Sequence, residues 1–395
     1  MIAPLLLALT LVADPQLSVS GEPVPELASI DEAMQRFVTD NKIPGMSLAI
    51  GREGQIVYAR GFGYADRDEK IGVEPSHRFR IASISKPVTA VAVMLLVERG
   101  KLKLDDPAFA ILGLSIPEDA DQRLPNITVR HLLQHTAGWD RSISFDAMFR
   151  PHIIAEDQGV PAPAGPDAII RYTLNQMLDH EPGTKYAYSN LGYCILGRII
   201  EKVSGVDYET FTQQEVLKPL GITKMQIGHT LLKDRLWNEV RYYTPGELRT
   251  QSIYDKTKGL PNQYGGWYLE AMDAHGGWIA SAPDLVKFAM AFDDPAKCPL
   301  LKPESVKEMF APPPIAKSKQ YYGCGWSVTD NNGRFEYSHN GMLPGTATVL
   351  MHREGITYAV LFNTHFDPKG KYLGAVIDAP IRDALNGIKK WPEPK

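Results

Sequence analysis

The chain is 395 residues long, which allows two or three domains, or one large domain with an insertion. Hydrophobic residues make up 44% and charged residues 22%, the composition of a soluble globular protein with a sizeable core. With 42 basic against 46 acidic residues, a net charge of −4 and no Lys/Arg run, the chain is not one built to bind nucleic acid.

Ile2 to Val12 is an apolar run, too short to span a bilayer but fitting a signal-peptide core. Residues 1–21 are therefore read as a signal peptide and disordered N-terminus. The protein is read as exported, periplasmic or secreted, with no integral membrane span once the signal is removed. Two features depart from the pattern: no Lys or Arg precedes Arg36, and Leu11-Val12-Ala13 is not a clean cleavage site. No Cys ends the run, which argues against a lipoprotein.

Glu26 to Asn41 carries Ile30, Met34 and Phe37 at helical spacing. A hairpin follows, with SLAIG and QIVYARGFGY as strands around the turn Arg52-Glu53-Gly54. Next comes RIASISKPVTAVAVMLLVERG, residues 80–100, which reads as a helix over 84–99 with a nucleophile at its entrance. Val88, Val91, Ala92, Leu95 and Leu96 recur at spacings of three and four and predict one buried face. Pro87 suits only the first turn, and Gly100 is a stop signal. Ser83 and Lys86 then sit one turn apart on the same side. A serine hydroxyl is a weak nucleophile until a neighbour takes its proton, and a desolvated lysine can have its pKa lowered enough to do so. Alone, S-x-x-K is a weak signal, since it arises by chance about once in a chain of this length.

Residues 101–126 are rich in turn formers, ITVRHLLQHTAG is a strand or short helix ending at Gly138, and residues 141–166 read as irregular. AIIRYTLNQML, LGYCILGRIIEKVSG and DYETFTQQEVLKPLG read as helices, the second with Gly205 as its stop. Residues 240–277 are loop-like and aromatic. SAPDLVKFAMAF is a helix with Ser281 as N-cap and Pro283 in its first turn. GCGWSVTD, GRFEYSHN, TATVLMHRE and ITYAVLFNTH read as strands, and residues 373–390 as a final helix. Cys194 reads as a core residue, while Cys298 and Cys324 either pair or remain free thiols. Trp139, Tyr264, Trp267 and Trp326 either line a cleft or pack in the core.

Two further polar clusters stand out. In KYAYSNLGY, Tyr188, Ser189 and Asn190 precede an apolar helix, and the plain reading makes Asn190 its N-cap. In SHNGMLPG, residues 338–345, the plain reading is an Asn-Gly hairpin turn with an exposed His339. His131 and His135 are spaced like metal ligands, but Leu132 stands where a zincin has its glutamate. Neither a G-x-S-x-G elbow nor a nucleotide-binding loop is present.

Taken together, RIASISKPVTAV, YSNLGY and SHNGMLPG resemble the three motifs of the serine penicillin-recognising family. Its branch here is that of class C β-lactamases, D-alanyl-D-alanine carboxypeptidases and related esterases. HLLQHTAGW and GGWIASAPDLVKFA look similar to the same branch, and the resemblance runs from about Leu27 to the last helix. It implies an α+β fold, an antiparallel sheet flanked by helices with an inserted, mostly helical domain. The expected division is 22–105 plus 271–395 for the sheet domain and 106–270 for the helical one, with the active-site cleft between them.

By position, the resemblance implies Ser83 as acylated nucleophile, Lys86 as its proton partner, and Tyr188, as phenolate or through Lys86, as general base. Asn190 would bind the substrate amide. His339 would bind a substrate carboxylate or tune Tyr188, Gly341 would leave room beside the strand, and the Ser83 and Met342 N–H groups would form the oxyanion hole. Class C β-lactamases mostly have Lys where this chain has His339, and an unperturbed histidine is charged only below about 6.5. Anionic substrates would then bind less well as pH rises. The implied function is a serine acyl hydrolase of the penicillin-binding type, needing neither cofactor nor metal, acting on a small-molecule or peptide substrate, preferably a D-alanyl peptide-like amide. A carboxylesterase or weak β-lactamase, and a non-catalytic binder, are the alternatives. No oligomeric state is implied.

Overall fold

The computed structural model describes residues 17–255 and 257–393. The Ile2 to Val12 signal candidate lies outside the described residues. Residues 17–21, expected to be disordered, are not: Val19–Ser20 (β1) pairs with Phe62 and Gly61, because the edge of the sheet there has open backbone groups to offer.

The two ends of the chain meet in one nine-stranded antiparallel sheet. The first hairpin is Gly45–Arg52 (β2) with Gln55–Asp66 (β3), joined at Glu53-Gly54, where both φ angles are positive, 52° and 77°. That is the turn whose twist matches paired strands. The C-terminal meander is Gln320–Tyr322 (β4), Ser327–Asn331 (β5), Arg334–Leu343 (β6), Thr346–Arg353 (β7) and Ile356–Phe362 (β8). The order is β1-β3-β2-β8-β7-β6-β5-β4, with Ile71–Gly72 added on β3. The join between the chain's halves is β8 on β2, with Tyr358 opposite Ile50 and Val360 opposite Leu48.

Side-chain alternation sends the two faces of this sheet into two cores. Met46, Leu48, Ile50, Val360 and Phe362 pack with Ile30, Met34 and Phe37 of the helix Ala28–Asp40 (α1) and with Ile377 and Ile381 near the C-terminus. Ala49, Ala359, Leu361 and Leu350 belong to the larger core on the other face. There lies Ser85–Glu98 (α2), buried from Ser85 to Leu96 on every side rather than on the one face its periodicity predicts. The helices Asn190–Ser204 (α3) and Asp273–Gly276 pack against it, Pro303–Phe310 and Gly325 close on it as well, and polar positions such as Lys86 and Thr89 are therefore enclosed.

Other expectations need correction in detail. Residues 141–166 are not irregular throughout: Pro151–Asp157 is a helix, with Pro151 at its first position. ITVRHLLQHTAG contains the short helix Val129–Leu133, and residues 240–277 include a small hairpin, Arg249–Gln251 with Lys258–Pro261. Asn340-Gly341 is not a turn. Strand β6 runs through it to Leu343, and the turn is Pro344-Gly345. Trp267 and Trp326 are core residues, and Cys298 and Cys324 are free thiols. Among the described residues, no helix is long and apolar enough to cross a membrane.

Candidate active site

The chain enters α2 through a single turn of 3-10 helix, Ala82–Ile84, that carries Ser83. Ala82 has φ +48°, a left-handed conformation unfavourable for a residue with a Cβ. The strand behind holds it there. Thr346 Oγ1 donates to the Arg80 carbonyl and Thr348 Oγ1 to the Ile81 carbonyl, each at 2.9 Å. From the front, Gly341 on β6 lies so close that a Cβ would overlap the Ile81 carbonyl oxygen and Thr348 Oγ1. Gly341→Ala is therefore expected to destabilise the protein by about 1–3 kcal/mol, the range for overpacking a filled site. It should also slow covalent labelling at Ser83, because the turn must shift. Denaturant unfolding and labelling kinetics check this, and an unchanged variant would refute the close-approach account.

Lys86 is fully buried. Its Nζ lies 3.2 Å from Ser83 Oγ, 2.7 Å from Asn190 Oδ1 and 2.9 Å from the His275 carbonyl oxygen. Burial holds its pKa well below the usual lysine value; the Asp146 charge opposes that shift and Arg141 adds to it. The three distances suit both protonation states. An ammonium donates to all three oxygens, whereas a neutral amine donates to Asn190 and His275 and turns its lone pair to the Ser83 hydroxyl.

Asn190 is the first residue of α3 and not its cap. Ser189 caps the helix by accepting from Gly192 N–H, which frees the Asn190 amide. That amide is fixed at both ends: Oδ1 accepts from Lys86, and Nδ2 donates to Asp146 Oδ2 at 2.6 Å. Burial raises the Asp146 pKa, and the Asn190 hydrogen bond offsets part of the rise.

Tyr188 lies over Lys86, its ring centroid 4.7 Å from Nζ. Burial pushes its phenol up, and the Ser83 hydroxyl beside it offsets part of the rise. A phenolate at rest, one of the two forms expected, is therefore disfavoured. The segment carrying Tyr188 is held by His135: Ala187 N–H donates to the His135 carbonyl and Ser189 N–H to its Nδ1. The His135 ring sits 4.3 Å from that of Tyr188 and 4.5 Å from that of Tyr322, and burial keeps it neutral.

His339 is buried rather than exposed. Its Nδ1–H donates to the Asn340 carbonyl at 2.8 Å, and Nε2 accepts from Tyr322 O–H at 2.9 Å. Burial, reinforced by the Lys86 charge, lowers its pKa to about 3. The positive charge expected below pH 6.5 therefore does not form until far lower pH, because burial penalises the charged imidazole and the Lys86 charge repels it. Met342 follows Gly341 on β6 opposite Ala347, with its side chain half exposed.

Hydrogen bonds thus join Ser83, Lys86 and Asn190, ring contacts add Tyr188 and His339, and packing adds Gly341. Asp146, Arg141, Tyr322 and the His275 carbonyl also take part but carry no motif. Arg141 lies over the Tyr188 ring, 5.0 Å from its centroid. Trp139, Asp146 and Asn190 line a cavity of about 60 Å³ beside the site. Tyr264 lines a separate cavity of about 590 Å³ between residues 41–44, 241–249 and 364–368.

An antiparallel sheet flanked by helices, with this polar cluster beside the start of α2, is a β-lactamase/transpeptidase-like fold, the class of a group of serine hydrolases. The chain belongs to the Beta-lactamase family, whose family model matches residues 30–379. It is 29% identical over 327 residues to penicillin-binding protein 4* of Bacillus subtilis (strain 168), covering 77% of this chain and 65% of that protein. The octameric penicillin-binding protein homologue from Pyrococcus abyssi superposes with TM-score 0.66 at 25% identity, over 87% of this chain and 75% of that one. The D-amino acid amidase from Ochrobactrum anthropi SV3 shares the fold, with TM-score 0.70 at 23% identity over 93% and 99% of the two chains.

Proposed function

We propose that the protein is a serine acyl hydrolase that turns over through a covalent acyl-Ser83 intermediate. The observation that carries this reading is the Lys86 amine, buried, pKa-lowered and placed among three oxygens of which one is the Ser83 hydroxyl. Neutral Lys86 takes the Ser83 proton as Oγ attacks the acyl carbon. The resulting oxyanion is held by the Ser83 and Met342 N–H groups. The proton passes through Tyr188 to the leaving group, whose bond to the acyl carbon breaks. Water then attacks the acyl carbon and gives a proton to the same pair; the bond from that carbon to Ser83 Oγ breaks, Oγ takes the proton back, and the acid leaves. Asn190 binds the acyl side of the substrate, and Gly341 gives the strand its close approach.

A D-alanyl carboxypeptidase releases an amino acid bearing a carboxylate, and a cation at position 339 would bind it. Neutral His339 does not supply one, which favours amides and small esters with uncharged leaving groups. A penicillin-binding role is the reading suggested by the names of the relatives. Export, the domain division at 106 and 270, and a cleft between the two parts belong to the same proposal. Its support is that the main-sheet strands fall within residues 19–72 and 320–362, while Tyr188 and Asn190 come from between.

The test is a panel of p-nitrophenyl butyrate, nitrocefin, and acetyl-D-Ala-D-Ala with a free or an amidated C-terminus. We expect the ester and the amidated peptide to be preferred. The KM ratio of free to amidated peptide should stay flat through His339's ordinary midpoint near pH 6.5. A ratio that improves about tenfold as pH falls through that midpoint would restore the charged-His339 account.

A further inference from the structure

Arg141 has no hydrogen bond or ion pair with any of the described residues, although it stands at the edge of the site. Its guanidinium rests on the face of Tyr188, 5.0 Å from the ring centroid, and its side chain is exposed. The other cationic side chains around Tyr188 are held below their ordinary pKa by burial or are already paired. Burial keeps His135 and His339 neutral and drives Lys86 towards neutrality. Lys185, on the same segment, is paired with Asp140 at 3.3 Å. Arginine remains charged under all ordinary conditions.

Arg141 also lines the cavity of about 60 Å³ that opens beside Asn190. Its apolar walls are Trp139, Phe145, Ala147 and Leu191, and its volume admits a few heavy atoms only. Asp146 contributes the one carboxyl in the wall. Its Oδ2 accepts from Asn190 Nδ2 at 2.6 Å, and that donor offsets part of the charge an arriving anion would meet.

We propose that Arg141 and this cavity form an acyl-side subsite selecting substrates with a carboxylate at the end of a short acyl chain. A dicarboxylic acid half-ester or half-amide is the chemical class. The short methylene chain fills the apolar cavity, and the carboxylate takes a two-pronged hydrogen bond from the guanidinium. The inference rests on the acyl-Ser83 reading only for which end of the substrate faces Asn190.

A binding measurement separates the two ideas. In a Ser83→Ala background, which cannot form the acyl-enzyme, ligand-observed NMR titration compares mono-ethyl glutarate with ethyl pentanoate. The two have the same chain length and differ by one carboxylate. We expect the half-ester to bind about tenfold more tightly, within the range of a charge-assisted pair. Arg141→Ala should erase the preference, and Arg141→Lys should keep part of it, since an ammonium lacks the planar fork. A ratio near one, a preference that survives Arg141→Ala, or no saturable binding of the half-ester would each overturn the subsite. Failure of the acyl-Ser83 reading has a different signature, the absence of a covalent label on Ser83 in the wild-type protein.

Discussion

Ser83→Ala should abolish covalent labelling by a fluorophosphonate and lower acyl hydrolysis by about 10⁴-fold or more, the scale of removing a nucleophile that works with its base as a unit. The residue is half-buried, and its loss should leave the fold intact. The experiment is intact mass followed by peptide mapping. It has internal decoys, because Ser85 and Ser189 lie nearby. Ser85 is fully buried, and its Oγ accepts from Trp278 N–H at 3.3 Å. Ser189 is committed to capping α3. An adduct on either, or labelling undiminished in Ser83→Ala, would end the assignment of Ser83 as nucleophile.

What could be read from the sequence was local. The Ser83-to-Lys86 spacing follows from the helical repeat, the hairpin at Glu53-Gly54 from turn chemistry, and the Ser281 cap from a hydroxyl three residues before Asp284 N–H. The antiparallel sheet flanked by helices was legible as a class because strand-like runs sit at both ends of the chain. What escaped depends on partners distant in sequence. Pattern alone makes Asn190 a cap, and only the Lys86 and Asp146 side chains, 104 and 44 residues away, show its amide to be committed elsewhere. Asn340-Gly341 has the composition of a turn, yet β7 pairs with it on both sides of Gly341 and keeps it extended. His339 has an ordinary histidine's pKa on paper, and burial beside Tyr322 and Lys86 changes its charge state. Asp146 and Arg141 lie in a stretch without periodicity, so no sequence signal marks them.

Lys86 and Tyr188 should behave as one proton-transfer unit. Lys86→Ala and Tyr188→Phe should each cost roughly 10²-fold or more in kcat, and the double variant should be little worse than either single one. Burial raises the Tyr188 pKa, so the resting phenol is neutral and its proton must move in concert with Lys86. The acid side of the pH–rate profile then belongs to Lys86, since His339 lies at about 3. Because the pKa of Lys86 is lowered in the fold, the unfolded chain binds more protons between the folded and unfolded values. Stability should therefore rise with pH through that window and be lowest below the folded value, where the buried ammonium carries its full desolvation cost. Acylation should rise with pH over the same limb. Lys86→Met, which cannot titrate, should lose the acylation trend and the part of the stability rise that lies above the histidine range, while keeping the fold; the buried His135, His275 and His339 keep their own share at lower pH. The checks are acylation rate and denaturant midpoint against pH for wild type and Lys86→Met. Parallel stability profiles in the two proteins, or multiplicative losses in the Lys86→Ala, Tyr188→Phe double variant, would show that Lys86 is a structural lysine and that the serine finds its base elsewhere.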